Sequence, residues 1–245
     1  MVRKEVIRII RIWSQTLLPP VVTTTLYFIV FGTFIGSQLK AVGGHSYMEF
    51  IVPGLVMMAL ITSSYMNTVS TFYFAKWQRT IDELLVSPMP SWVVMLGFVS
   101  GGVIRATMVG ILVVVVALFF THLAVANFLI VIVAALLTAF LFALAGLVNG
   151  FFAKSFDAIS IVPTFVLTPL TYLGGVFYSV DQLPPFFRTL SLFNPILYMV
   201  NLFRYGFLGT SDVPPLTAFL VLLGFSVGFL VLTTWLFARG KGLKN

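Results

Sequence analysis

Charged residues are few in this chain, and one short run holds four of them. The stretch KWQRTIDE at positions 76–83 carries Lys76, Arg79, Asp82 and Glu83 between two long apolar segments. Gln78 and Asp82, and Arg79 and Glu83, stand four residues apart, the spacing of neighbours on one helical face. Ile81, Leu84 and Leu85 gather on another side, and Ser87, Pro88 and Pro90 close the run. The pattern predicts a short cytoplasmic helix that docks a partner. Its charges would set geometry and its aliphatic side would fill a groove; a solvated loop would have no need of that side. Arg105 is the second residue of interest, because a charge inside an apolar span is costly unless it is paired, snorkelled or functional. It is read either as structural or as part of a transport route.

Nothing in the chain reads as a catalytic constellation. There is no cysteine, so neither disulfides nor thiol-ligated metals arise, and the two histidines, His45 and His122, fall in predicted loops. Phosphate-binding GxxxxGK[ST], HExxH and GxSxG motifs are absent from the sequence. Only seven acidic residues occur, none deep in a predicted span, which argues against a proton-coupled carrier. Energy for any transport would have to arrive from another polypeptide. The net charge of +7 could suit nucleic acid, but no aromatic–basic module accompanies it, so no nucleic-acid partner is expected.

The elements that carry these residues are membrane elements. Sixty per cent of the 245 residues are hydrophobic and 9% charged, against about 25% charged in a soluble domain. The reading is an all-α polytopic membrane protein forming a single transmembrane domain over 1–245, with six transmembrane helices at about 17–37, 50–72, 92–120, 128–152, 159–178 and 216–237. Residues 1–15 alternate basic and apolar positions and predict an N-terminal interfacial helix. No small-residue cleavage site closes a short apolar segment after the basic start, so the first span is expected to remain. Prolines break the region 179–214 into pieces too short to cross. Outer re-entrant helices are expected there before the last span, broken at Pro184, Pro185 and Pro195. Six spans place ten of the fourteen basic residues on the side of both chain ends. Lys40, Arg188 and Arg204 fall on the other side and Arg105 inside a span. The positive-inside rule then puts both termini in the cytoplasm. Four glycine pairs, 32/36, 97/101, 146/150 and 224/228, have the spacing of close helix contacts; most are expected to pack within the subunit, one or two between subunits.

Three stretches carry a family resemblance: YMEFIVPG at 47–54, QRTIDELLVSPMP at 78–90, and PTFVLTPLTYLGGVFY at 163–178 continuing through LPP to FNPILY at 193–198. In these the chain resembles the membrane-spanning permease of ABC-2 type ATP-binding-cassette exporters of the bacterial inner membrane. The resemblance implies a permease that is not itself an enzyme and holds no cofactor. It implies a homodimer in membrane lipid, seated on two copies of an ATPase subunit that binds ATP and Mg. It also places an ATPase-coupling helix on Arg79, Ile81, Asp82, Glu83, Leu84 and Leu85, and the outer re-entrant region on Pro184, Pro185, Asn194, Pro195 and Tyr198. The competing readings are an ATPase-independent channel or secondary carrier, and a non-transporting membrane scaffold. A neighbouring gene for a Walker-A ATPase would discriminate among them.

Overall fold

Ser46 opens the longest helix with a capping box. Its hydroxyl accepts from the Glu49 N–H at 3.3 Å while the Glu49 carboxylate accepts from the Ser46 N–H at 3.0 Å. From there Tyr47–Trp77 runs 31 residues, about 46 Å, well beyond the roughly 30 Å hydrocarbon core. The computed structural model describes residues 2–36, 44–81, 83 and 89–239. In chain order these form α1 (Val2–Arg11), α2 (Trp13–Thr16), α3 (Leu18–Tyr27) continued by π-helical turns over Phe28–Ile35, α4 (Tyr47–Trp77), α5 (Ser91–Ala117), α6 (Phe128–Phe152), α7 (Phe156–Val162), a π-helical turn at Pro163–Leu167, α8 (Thr168–Tyr172), α9 (Pro185–Leu192), α10 (Pro195–Leu208) and α11 (Pro215–Arg239).

The α4 helix is the central post. Most of its apolar window, 78%, is buried inside the protein, against 22–39% for the other long helices, and α5 and α6 pack along it. Close approach requires glycine: a Cβ on Gly146 would meet the Tyr65 carbonyl oxygen at 2.6 Å, and one on Gly150 the Phe72 ring at 2.7 Å. The 146/150 pair is thus an intramolecular contact between α6 and α4, whereas Gly224 and Gly228 of α11 have nothing within 4 Å.

The expectation of six spans is not met. Among the described residues five helices are long and apolar enough to cross a membrane: Trp13–Gly32, α4, α5, α6 and α11. The segment expected at 159–178 is instead a shorter apolar helix, Phe156–Tyr172, and does not count among the five long ones. Pro163 and Pro169 are the cause, since each removes a donor from the ladder. The helix widens into the π-helical turn at the first proline, where Thr168 Oγ1 donates to the Pro163 carbonyl at 2.9 Å. It ends at Tyr172, and Gly175, with φ +71°, turns the chain away.

The accessory helices also differ from expectation. The α1 helix does not simply lie on a membrane surface. It docks on α5 with Ile9 fully buried, turns Arg8 inward onto α4, and leaves Ile7 and Ile10 exposed. The 76–83 stretch is not one helix, because Lys76 and Trp77 complete α4 and a left-handed Arg79 (φ +58°) breaks the run before Thr80 and Ile81 resume it. The Arg79–Glu83 helical pair therefore does not exist. In the expected re-entrant region, α10 is no surface element: Leu197 and Val200 are fully buried against α4, α6 and α11. An apolar helix surrounded on all sides belongs to a core.

Both described chain ends sit at one end of the bundle. Phe237 of α11 packs on Phe72 of α4 (ring centroids 6.0 Å) and on Phe151 of α6 (4.9 Å), and Glu5 of α1 lies against Gly101 of α5. Overpacking a helix contact costs about 1–3 kcal/mol. Gly146→Val is expected to destabilise the protein in mild detergent by that amount, read as a lower thermal midpoint, while Gly224→Val changes it little; equal shifts for the two would contradict this packing.

Candidate functional site

The C-terminus of α6 presents carbonyls with no helical partner, and α4 supplies a donor for them. Lys76 is buried, and its ammonium donates to the carbonyls of Gly150, Phe151 and Ala153 at 3.2, 2.9 and 3.0 Å. A cation there also meets the negative end of the α6 dipole. The charge pattern reads Lys76 as the start of the cytoplasmic helix; the structure makes it a clamp between two helices.

Immediately beyond the clamp the chain turns. The Gln78 N–H donates to the Phe74 carbonyl at 2.9 Å, and the Arg79 N–H reaches back to the Lys76 carbonyl at 3.1 Å, with Arg79 left-handed at the position helices usually give to glycine. A non-glycine residue in this region costs about 1–2 kcal/mol. The turn leaves Arg79 and Glu83 exposed and drives Ile81 inward. Ile81 is 1% exposed, in a cluster with Phe72, Val94, Phe98, Phe151 and Phe237. It is therefore an anchor into the bundle and not a surface for a partner. Asp82, Leu84 and Leu85 lie outside the described residues.

Arg8 and Arg105 line one recess beside this turn. Arg8 Nη2 donates to Glu5 Oε2 (2.7 Å), Asn67 Oδ1 (3.1 Å) and Thr71 Oγ1 (2.7 Å), so the polar half of α4 receives a charge from α1. Burial raises the Glu5 carboxyl above its ordinary pKa, with the Arg8 charge pulling the other way. Arg105 Nη2 donates to the Thr16 carbonyl at 3.0 Å, where α2 gives way to α3. The cavity of about 570 Å³ between α1, α4 and α5 shares Arg105 with a second, of about 330 Å³, between α3 and α4. That second cavity shares Met58, Thr62 and Met66 with a small recess reaching Tyr172. One face of α4 is thus hollow from Gln78 to Leu55.

At the far end, Pro184 and Pro185 start α9, with Pro185 in the first turn where its missing donor is not needed. Asn194 caps α10 by accepting from the Ile196 N–H at 3.0 Å, Pro195 follows it, and Asn194 Nδ2 donates to the Leu170 carbonyl of α8. Tyr198 Oη donates to the Leu192 carbonyl at 2.8 Å, closing α9 onto α10. Of the named outer residues, Asn194 and Tyr198 therefore hold α8, α9 and α10 together.

Charge counting sets Arg204 on the outer side, and in the structure it is among the most buried side chains. Its Nη2 donates to the Gly175 carbonyl at 2.6 Å, its guanidinium lies 3.8 Å from the Phe50 ring centroid, and Asp212 is 3.9 Å away. Asp212 accepts from Ser179 Oγ and from the Val180 N–H at 2.8 and 3.1 Å. The pair staples α10 to the turn after α8 and to the start of α4. The sequence signal was available in the apolar surround of position 204 within 195–208.

Four long apolar helices gathered with a buried central one define a polytopic membrane domain. The chain matches the ABC-2 type transporter family over residues 1–208, and it belongs to that family. It is 57% identical over 242 residues to the inner membrane transport permease YadH of Escherichia coli K12, covering 99% of this chain and 94% of that protein. It is also 30% identical over 187 residues to nodulation protein J of Rhizobium leguminosarum bv. trifolii, covering 75% and 71%. Membership makes the chain a membrane permease component of transport and not a catalyst.

Removing the Lys76 ammonium would take a charged donor from buried carbonyls, at about 2–3 kcal/mol for a charged hydrogen bond. Lys76→Met is expected to lower thermal stability by that order in detergent and Lys76→Arg by less; unchanged unfolding of Lys76→Met would contradict the clamp.

Proposed function

We propose that this chain is the membrane-spanning subunit of an ATP-driven exporter of the bacterial inner membrane. Two copies form the translocation route, and two copies of a separate ATPase subunit, which binds ATP and Mg, drive it. The end of the bundle that gathers both termini, Lys76 and Arg79 faces the cytoplasm. The inner-membrane relative supports the compartment. The number of basic residues at that end supports the orientation.

The observation that carries the reading is the break at Arg79. It holds Arg79 and Glu83 out from the bundle while Ile81 is locked into it. A surface so built can be pushed by a partner and pass the push to α4, α5, α6 and α11, whose side chains surround Ile81. Arg79 and Glu83 are the proposed docking charges. Asp82, Leu84 and Leu85 complete the proposed contact. Nucleotide-driven approach of the ATPases would favour one arrangement of the two bundles over the other, as coupling requires. Arg105, shared between two cavities, sits on the proposed route.

The docking and transmitting roles separate by mutation. Combined Arg79→Glu and Glu83→Arg is expected to weaken co-purification of the ATPase about tenfold, a shift of roughly 1.4 kcal/mol. Ile81→Ala leaves a cavity in the bundle costing about 2–4 kcal/mol; it is expected to retain the ATPase yet abolish stimulation of ATP hydrolysis by transported substrate. Wild-type ATPase retention by the charge-reversed variant would contradict the docking assignment. A reporter fused after Asn245 is expected to read cytoplasmic, and an external reading would contradict the orientation.

A further inference from the structure

The recess between α1, α4 and α5 has an unbalanced charge. Its lining carries two guanidiniums, Arg8 and Arg105, and one carboxylate, Glu5; its other polar groups include Asn67, Thr71 and Gln78 and are neutral. Arg8 is committed through Nη2 to Glu5, Asn67 and Thr71. Arg105 has no carboxylate partner among the described residues. It makes one hydrogen bond, to the Thr16 carbonyl, and its Nε is buried with no partner. Arg8 acts on it as a like charge. A guanidinium at this depth is held at a cost unless an anion completes its surroundings.

We infer that this recess binds a phosphate-bearing anion, with Arg105 as its principal ligand and Arg8 beside it. A guanidinium offers donors in a planar fork that matches phosphate oxygens, and phosphate has only acceptors to present. The volume of about 570 Å³ lies within the range of small-molecule sites. Apolar walls from Ile12, Phe74 and Phe98 flank the charged floor. Shape and wall chemistry therefore accept an anionic phospholipid headgroup; a soluble phosphate would meet the same guanidiniums. The recess shares Arg105 with the proposed route, but filling it needs no ATPase, so the binding test does not depend on transport.

The test compares the purified full chain with phosphatidylglycerol and with phosphatidylcholine of the same acyl chains, counting bound lipid by native mass spectrometry. A parallel arm titrates inorganic phosphate against chloride at constant ionic strength in phosphatidylcholine nanodiscs, read by calorimetry. Wild type is expected to retain phosphatidylglycerol preferentially. Arg105→Gln should weaken that retention about tenfold, the loss of one charge-assisted contact, and Arg105→Lys by less. Glu5→Gln removes the competing anion without changing shape and should strengthen retention about threefold. This opposite sign keeps the proposal testable even if Arg105→Gln folds poorly. Arg188→Gln, at the far end and paired with Asp181, should change nothing. Saturable phosphate binding that needs Arg105, without preference for phosphatidylglycerol, assigns the site to a soluble anion. Wild-type retention by both Arg105→Gln and Glu5→Gln, or no binding in either arm, overturns the proposal.

Discussion

A polar group inside a bilayer has no water to fall back on, and α4 is where this chain meets that constraint. Its neighbours are tied to α4 through polar contacts. Ser64 Oγ donates to the Ala139 carbonyl of α6, and Asn67 and Thr71 receive Arg8 from α1. Lys76 closes the end of α6, and Tyr47 Oη donates to the Phe177 carbonyl beyond α8 at 3.0 Å. These contacts fix register where apolar packing alone would allow sliding, because lipid tails compete equally for apolar faces. The same contacts leave one face of α4 unfilled, so satisfaction of the post and the hollow along it have one origin.

At the end proposed to face the cytoplasm, force would enter through a piece that is stiff for identifiable reasons. Lys76 clamps the helix just before the turn, the left-handed Arg79 sets its angle, and Ile81 plugs the next stretch of chain into an aromatic cluster. Packed interfaces of this kind move as units and do not deform continuously. At the far end Arg204 and Asp212 staple α10, the turn after α8 and the start of α4. The two locks lie at opposite ends of α4, which lets a displacement at one end reach the other as motion of a rigid post.

Much of this is legible in the residues. The α6 helix matches its expected bounds because its apolar run is continuous and Asn127 caps it, accepting from the Ile130 N–H at 3.2 Å. The family is legible from three motif stretches, and the match over residues 1–208 agrees. The features that escape are tertiary. Hydropathy counts residues 159–178 as a span, but it takes no account of two prolines and a left-handed glycine, which shorten the helix to Phe156–Tyr172. Charge counting gives Arg204 a side of the membrane but not its burial, because its partners are distant in sequence: Gly175 lies 29 residues back and Phe50 much farther. Spacing turns Ile81 toward a partner, since the left-handed turn at Arg79 that redirects it leaves no mark in composition. Lys76 looks like one charge of an island because the carbonyls it serves belong to residues 150–153.

The segment after Arg79 is proposed to move as one body with the bundle. The chain has no cysteine, so introduced labels report without background. Spin labels at Glu83→Cys and Lys154→Cys would measure the distance within a subunit, and Glu83→Cys alone the distance between the two proposed copies, in the proposed complex with an ATPase subunit reconstituted in bilayers. On trapping ATP, motion as one body leaves the 83–154 distance unchanged and shortens the 83–83 distance. A changed 83–154 distance with an unchanged 83–83 distance would show a segment that flexes on its own, and would contradict it.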